Sequence, residues 1–365
     1  MGELRLMKGN EVLAEAAIRC GCDGYFGYPI TPQSEVMETL MERQPWNETG
    51  MVVLQAESEV AAINMVYGAA GTGKKVMTSS SSPGISLMAE GFSYLAGAGL
   101  PCLIVNVQRA GPGLGTIQPS QADYFQAVKG GGHGDYKLIT LAPSSVQEMY
   151  DFVDLGFELA FKYRNPAMIL TDGAVGQMME KVILSDYKKR WTDEEIAELH
   201  GSWATIGKSP ARERNVVTSL ELEPAKMEQN NLIFQKKYRE IEAEEQRVEA
   251  ILCDDAQYVF VAFGSSARVC QKAVEIVRKK GIKAGLLRPI TLFPFPKTKI
   301  QELAPKVKGF LSVEMNAGQM IEDIKLAIYE AGIFRPVKYF GRMGGMIPSP
   351  GEVAESLIQQ FLQED

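Results

Sequence analysis

Four short stretches combine polar or charged side chains with the glycines and prolines that fix them in place. The first is Gly27-Tyr28-Pro29-Ile30-Thr31-Pro32. Its prolines stiffen a turn, and Thr31 offers a hydroxyl either to a ligand or to the start of the next helix. The second, Gln55-Ala56-Glu57-Ser58-Glu59-Val60, holds two carboxylates two residues apart. On a helix that spacing turns them to different faces. One then sits in the first turn, favoured by the helix dipole, and the other is free to point inward. The third, Ser82-Pro83-Gly84, offers free backbone N–H groups at a helix start, or is a plain strand-to-helix turn. The fourth is Gln108-Arg109-Ala110-Gly111-Pro112-Gly113-Leu114-Gly115-Thr116. An arginine held by such a loop can clamp a carboxylate in a bidentate fork, or it can make a structural salt bridge. The loop runs on through Gln118–Tyr124 to His133-Gly134-Asp135. Polar, glycine-rich stretches of that length inside a compact domain are usually functional. His133 is either a helper in binding or a structural histidine.

The elements that must position these residues are legible from periodicity. Short apolar runs at 24–28, 51–55, 75–79, 102–107, 137–141 and 167–171 read as strands. Helical spacing covers 8–20, 33–43, 57–70, 84–97 and 145–162. Strands alternating with helices imply a parallel α/β sheet, whose carboxyl edge is where such proteins bind ligands. Residues 175–250 are polar and charge-dense without an apolar strand, and 226–250 reads as a solvated helix. A second α/β unit follows, with strands at 258–263, 282–287 and 309–314 and helices at 267–280, 297–306 and 318–331. The expected organisation is therefore one domain over 1–174, a mostly helical connector over 175–250, and a second domain over 251–365.

Composition narrows the function classes. The chain has 365 residues, enough for two substantial cores. A net charge of -7 argues against electrostatic binding to nucleic acid or to an anionic membrane surface. The five cysteines, Cys20, Cys22, Cys102, Cys253 and Cys270, form no C-x-x-C pair, so no metal or iron–sulfur site is expected in this chain. There is no secretory signal pattern, and the longest apolar stretch, 85–105, contains Glu90 and is broken by Gly99-Leu100-Pro101, so a cytoplasmic setting is expected. GxxxxGK[ST] and GxSxG motifs are missing.

Taken together and in order, the GYPITP turn, the ESEVAA helix start, the SSPGISLMAE turn and the QRAGPGLGTIQPSQADYFQA loop closely resemble the α subunit of the 2-oxoacid:ferredoxin oxidoreductases. The stretch GSSARVCQKAVEIVRKKGIKAGLLRPITLFPFP is similar to the transketolase C-terminal-type domain that follows in that family. The resemblance covers nearly everything outside 175–250 and is nearest the 2-oxoisovalerate branch. It implies a thiamine-diphosphate pyrimidine-binding domain followed by a transketolase C-terminal-like domain. It also implies a glutamate that hydrogen-bonds the aminopyrimidine ring and helps remove the C2 proton. That role falls on Glu59, with Glu57 as the competing choice. Thr31 and Arg109 match the family's substrate-binding residues, Arg109 holding the 2-oxoacid carboxylate. Pro29 and Ile30 would line the cofactor interface.

The family's diphosphate half uses a Gly-Asp-Gly motif, which this sequence lacks. The resemblance thus implies half an active site. A β subunit would carry magnesium, the diphosphate site and an iron–sulfur cluster, with ferredoxin-like and γ subunits as further partners. The implied reaction is oxidative decarboxylation of 3-methyl-2-oxobutanoate to the acyl-coenzyme A, with electrons passing to ferredoxin. The rivals are a 2-oxoglutarate-specific α subunit and a non-catalytic assembly subunit.

Overall fold

The computed structural model describes residues 2–208, 210 and 212–363. The first unit runs through β1 (Glu3–Lys8), α1 (Gly9–Arg19), β2 (Gly24–Gly27), α2 (Ser34–Arg43), the single turn α3 (Pro45–Glu48), β3 (Val52–Gln55), α4 (Glu59–Ala70), β4 (Val76–Ser80) and α5 (Ser82–Gly97). It continues with β5 (Leu103–Gln108), β6 (Ile139–Leu141), α6 (Val146–Tyr163), β7 (Ala167–Asp172), α7 (Gly173–Gln177) and β8 (Met179–Leu184). Strands β4, β5 and β7 are buried at every residue, as expected of parallel strands covered on both faces. Helix α1 packs on α2 and α6, and α4 packs on α5, which supplies the two covering layers. Helices α4 and α6 start where serine can cap them: Ser58 Oγ accepts from Ala61 N at 3.2 Å, and Ser145 Oγ accepts from Glu148 N at 3.2 Å.

The first sheet has seven strands, and from β6 to β3 they lie in the order β6-β7-β5-β4-β2-β3, all parallel. Strand β2 sits between β3 and β4. The chain thus leaves β2 to one side and then crosses back to the other. This is the strand-order reversal at which open α/β sheets bind ligands, beyond the carboxyl ends of the strands.

The middle of the chain departs from expectation. Residues 175–250 contain α8 (Asp193–His200) and the exposed helix α9 (Pro224–Glu244), but also β8, which pairs antiparallel with β1 from Glu3↔Leu184 to Lys8↔Met179. In β1 leucines alternate with charges, and in β8 the apolar run is only Val182-Ile183-Leu184, so neither reads as a buried parallel strand; Leu4, Leu6, Met179 and Ile183 stand exposed on the ribbon. In α9 only Tyr238 and Ile241 are buried, which fits a solvated helix.

The second unit comprises β9 (Val248–Ile251), β10 (Tyr258–Val261), α10 (Gly264–Lys279), β11 (Ala284–Pro289), β12 (Thr291–Phe293), α11 (Lys297–Leu303), β13 (Gly309–Glu314), α12 (Met320–Glu330), β14 (Val337–Gly341) and α13 (Pro350–Phe361). Its sheet has the order β14-β13-β10-β11-β9, with β9 antiparallel at one edge. Strand β12 does not join it. It pairs antiparallel with β6, Thr291 opposite Leu141 and Phe293 opposite Thr140, and so completes the first sheet.

A buried polar seam locks the units together. Gln121 donates from Nε2 to Phe263 O at 2.8 Å, while its Oε1 accepts from Ser266 Oγ at 2.7 Å and Met315 N at 3.1 Å. Ser265 Oγ donates to Asp172 Oδ2 at 2.7 Å, and Tyr124 Oη to Asp323 Oδ2 at 2.6 Å. Buried groups satisfied this fully rigidify an interface, because breaking one leaves its partner unpaired.

Candidate active site

Because β2, β3, β4 and β5 are parallel neighbours, the segments that follow them emerge on one edge of the sheet. These are the four stretches that carry the polar side chains. The GYPITP turn is pinned from below: Asn10 Nδ2 donates to Pro32 O at 2.6 Å, Gln33 Nε2 donates to Tyr28 O at 3.2 Å, and Ser79 Oγ donates to Gln33 Oε1 at 2.6 Å. Thr31 does not cap α2, whose N-cap is Gln33. Its side chain is exposed at the edge of the sheet, as is Pro29, with Ile30 half-buried between them.

The two candidate carboxylates separate clearly. Glu57 precedes the N-cap Ser58 and is exposed. Glu59 is the first residue of α4 and only 6% exposed. It is thus both the first-turn acid and the inward-pointing one, roles that the spacing alone assigned to different residues. No residue among those described donates a hydrogen bond to its carboxylate. Its side chain lies against the backbone of Gly84, where a β-carbon would fall 2.6 Å from Glu59 Oε1 and still closer to Ser80 Oγ. A covered carboxylate without a donor of its own is set up to receive one from outside the chain.

Arg109 is 9% exposed. Nη1 donates to Thr31 O at 3.1 Å and Nη2 to Leu114 O at 3.2 Å, while Nε is buried without a partner. No carboxylate among the described residues pairs with it, so the structural salt bridge is not what holds it here. The guanidinium instead bridges the GYPITP turn to the glycine-rich loop, which turns back on itself through an Arg109–Pro119 bridge and the Ala110 N–Gln118 O bond at 3.0 Å. A buried cation held by two carbonyls has its charge left over for an anion.

Sequence reasoning missed the acid behind this arginine. Asp123, on the returning leg of the loop, accepts from Ser82 Oγ at 2.6 Å and from Asn106 Nδ2 at 2.9 Å. Burial pushes its pKa above the usual carboxylate value, against the pull of those two hydrogen bonds. Ser82 Oγ in turn accepts from Arg109 N at 3.0 Å. The only sequence signal was an acid inside a polar loop, which by itself predicts a solvated residue.

Two cavities flank the Arg109–Thr31 contact. One, of about 430 Å³, is lined by Ser82, Arg109, Pro112, Asp123, Met315 and Met343 among others. The other, of about 510 Å³, is lined by Thr31, Pro32, Ile117, Pro119, Glu35 and Ile347 among others. Arg109 is the only cation on either wall among the described residues. Met343 and Ile347 come from the loop after β14, so the second unit helps to wall the site.

The remaining candidates lie elsewhere. His133 is exposed and stands edge-on to Tyr94, and the strand ends do not bring it to Arg109. All five cysteines are buried free thiols, and burial raises the pKa of each, which suits inert packing rather than redox work. Among the described residues no group of three or more His, Cys, Asp or Glu could hold a metal, and no helix is long and apolar enough to cross a membrane.

Residues 15–247 match the family described as pyruvate flavodoxin/ferredoxin oxidoreductase, thiamine diP-binding, and 256–353 match pyruvate:ferredoxin oxidoreductase core domain II. This chain belongs to that family, the thiamine-dependent 2-oxoacid:ferredoxin oxidoreductases. It is 51% identical to the ketoisovalerate oxidoreductase subunit VorB of Methanothermobacter thermautotrophicus, over 97% of each chain. It is 35% identical to the 2-oxoglutarate synthase subunit KorA of Methanocaldococcus jannaschii, over 98% of this chain and 100% of that one. Among solved structures, the 2-oxoglutarate:ferredoxin oxidoreductase of Magnetococcus marinus superimposes with a TM-score of 0.85 at 25% identity, over 98% of this chain. This chain spans 65% of that longer one. A split-gene transketolase matches in fold alone, with a TM-score of 0.58 at 11% identity. The VorB and KorA relatives are named as subunits, which implies a multi-chain enzyme.

Proposed function

We propose that this chain is the α subunit of a 3-methyl-2-oxobutanoate:ferredoxin oxidoreductase, supplying the pyrimidine half and the substrate clamp of a site completed by a partner. The observation that carries the proposal is the buried Arg109 guanidinium, tied to Thr31 O and Leu114 O with no carboxylate of its own. Its free N–H groups suit the carboxylate of a 2-oxoacid, and exposed Thr31 stands beside it. Glu59 would hold the aminopyrimidine of thiamine diphosphate, with Pro29 and Ile30 along that interface. The residues fit the group, because Glu59 is covered and lacks a donor while Gly84 leaves room for its side chain. When bound, thiamine diphosphate supplies the electron sink for decarboxylation. Glu59 holds the proton shared with the ring nitrogen, and a dry setting strengthens that hydrogen bond. Magnesium, the diphosphate contacts and the iron–sulfur clusters fall to partner subunits, namely a β subunit with ferredoxin-like and γ chains, and coenzyme A takes the acyl group.

The cavity walls favour a branched, uncharged side chain. They carry Ile117, Ile347, Met315 and Met343 and, beside Arg109, only the acids Asp123 and Glu35 as charges. The second carboxylate of 2-oxoglutarate would find no cation there and two like charges. The identity to VorB exceeds that to KorA in the same direction. The test is viologen reduction by the complex co-produced with its partner subunits, comparing 3-methyl-2-oxobutanoate, 2-oxoglutarate, pyruvate and indolepyruvate. The highest kcat/KM is expected for 3-methyl-2-oxobutanoate. A preference for 2-oxoglutarate would overturn the substrate, and full activity of Glu59→Ala would turn the chain into an assembly subunit.

A further inference from the structure

Ser82 Oγ stands at a branch point. It accepts from Arg109 N at 3.0 Å, and two oxygens are within reach of its single proton: Asp123 Oδ2 at 2.6 Å and Arg109 O at 3.0 Å. A hydroxyl has one donor and two acceptor lone pairs. The shorter, charge-assisted bond to an ionised carboxylate takes the proton, which leaves a lone pair for the Arg109 N–H. Asp123 is tied to the end of β5 at two more points. It accepts from Asn106 Nδ2 at 2.9 Å, and its own N–H donates to Gln108 Oε1 at 3.1 Å. The outgoing leg of the loop at 106–109 is therefore bound to its returning leg at 123. No lysine or arginine among the described residues pairs with Asp123, so the carboxylate is not there for a salt bridge. Both Asp123 and Arg109 face the cavity of about 430 Å³.

We propose that Asp123, acting through Ser82, is the positioning residue that fixes the backbone of Arg109 and hence the seat of the 2-oxoacid carboxylate. This rests on Arg109 being the substrate clamp. With a neutral amide at 123 the Ser82 hydroxyl is no longer drawn to a charge and turns toward Arg109 O. The Ser82 lone pairs then swing off the axis of the Arg109 N–H, which weakens that bond, and the guanidinium loses the fixed base from which it reaches Thr31 O and Leu114 O. The effect belongs to substrate binding and not to the chemistry at Glu59, which meets Ser80 and Gly84 on the other side of the same turn.

The experiment uses the complex assembled with its partner subunits. Asp123→Asn is nearly isosteric and keeps one carbonyl oxygen in the place where Ser82 Oγ and Asn106 Nδ2 meet Oδ2, so it removes the charge that draws the Ser82 proton. It should raise the KM for 3-methyl-2-oxobutanoate about tenfold, the worth of one charge-assisted hydrogen bond, with kcat within about twofold. Affinity for thiamine diphosphate, read by quenching of intrinsic fluorescence, should not change. Ser82→Ala should do the same. The double variant should be no worse than the worse single one, because both act through one hydrogen-bond chain. Unchanged KM, equal losses of kcat and cofactor affinity, or fully additive single effects would each overturn the proposal. Arg109→Ala is the control. If it leaves KM unaltered, Arg109 is not the clamp and both claims fall. If it raises KM while Asp123→Asn does not, only the positioning role falls.

Discussion

Glu59 and Gly84 are in contact, the carboxylate of one resting on the backbone of the other. A β-carbon at 84 would stand 2.6 Å from Glu59 Oε1. Since no described side chain or backbone group holds that carboxylate by a hydrogen bond, packing against Gly84 sets its direction. Gly84→Ala should therefore leave the fold and the assembly intact but turn Glu59 aside, lowering kcat about a hundredfold, the scale of a 1 Å misplacement. Turnover measured beside far-ultraviolet circular dichroism tests this. Retained turnover in a folded variant would free Glu59 from its dependence on residue 84.

Glu59→Gln keeps the shape and removes the carboxylate proposed to hold the proton. The expected loss in kcat is about 10²- to 10⁴-fold, the range for one acid–base group. Viologen reduction at saturating cofactor and substrate measures it, and the Glu57→Gln variant, altered only at an exposed position, should stay near wild type.

Arg109→Lys retains the charge and loses the planar fork. A lysine cannot reach Thr31 O and Leu114 O together while also meeting a carboxylate along two parallel bonds. The KM for the 2-oxoacid should rise by about tenfold or more. Equal kcat/KM in the two proteins would mean that a point charge suffices.

Asp172 predicts a pH dependence of opposite sign to that of ordinary carboxylates. It caps α7 by accepting from Ala174 N and Val175 N at 2.9 and 3.3 Å, and it accepts from Ser265 Oγ across the seam. Burial nonetheless raises its pKa above the unfolded value. A group raised in the folded state binds its proton there first. Its contribution is full below the unfolded pKa and is lost as pH rises through the folded one. The Tm of the wild type minus that of Asp172→Asn should therefore grow as pH falls from neutrality toward 4. A difference that shrinks on acidification would contradict this sign.

What the sequence disclosed follows from range. The strands at 24–28, 102–107 and 167–171 are found at Gly24–Gly27, Leu103–Gln108 and Ala167–Asp172, because a buried parallel strand is apolar throughout and needs no partner to be recognised. The ribbon of β1 and β8 was not legible, since residues 3–8 and 179–184 meet only in the fold and their apolar residues, Leu4, Leu6, Met179 and Ile183 among them, are partly left exposed. Strand β12, three residues long, carries no periodicity at all. At the site, Glu59 and Arg109 stood out through their places after strands. Asp123 did not, because its worth comes from Ser82 at the start of α5 and Asn106 within β5, which only the fold brings to it.

The pairing of β12 with β6 also sets an order of assembly on the ribosome. When the connector has just emerged, β6 still presents an open edge, since Thr291–Phe293 and the Ile290 carbonyl that accepts from Ala142 N are yet to be made. Open edges of this kind recruit other chains. The nascent N-terminal half must therefore wait, partly unsealed, while β9, β10, α10 and β11 are synthesised. A protease or a stalled ribosome that ends the chain within the connector releases a sticky fragment and not a free-standing domain.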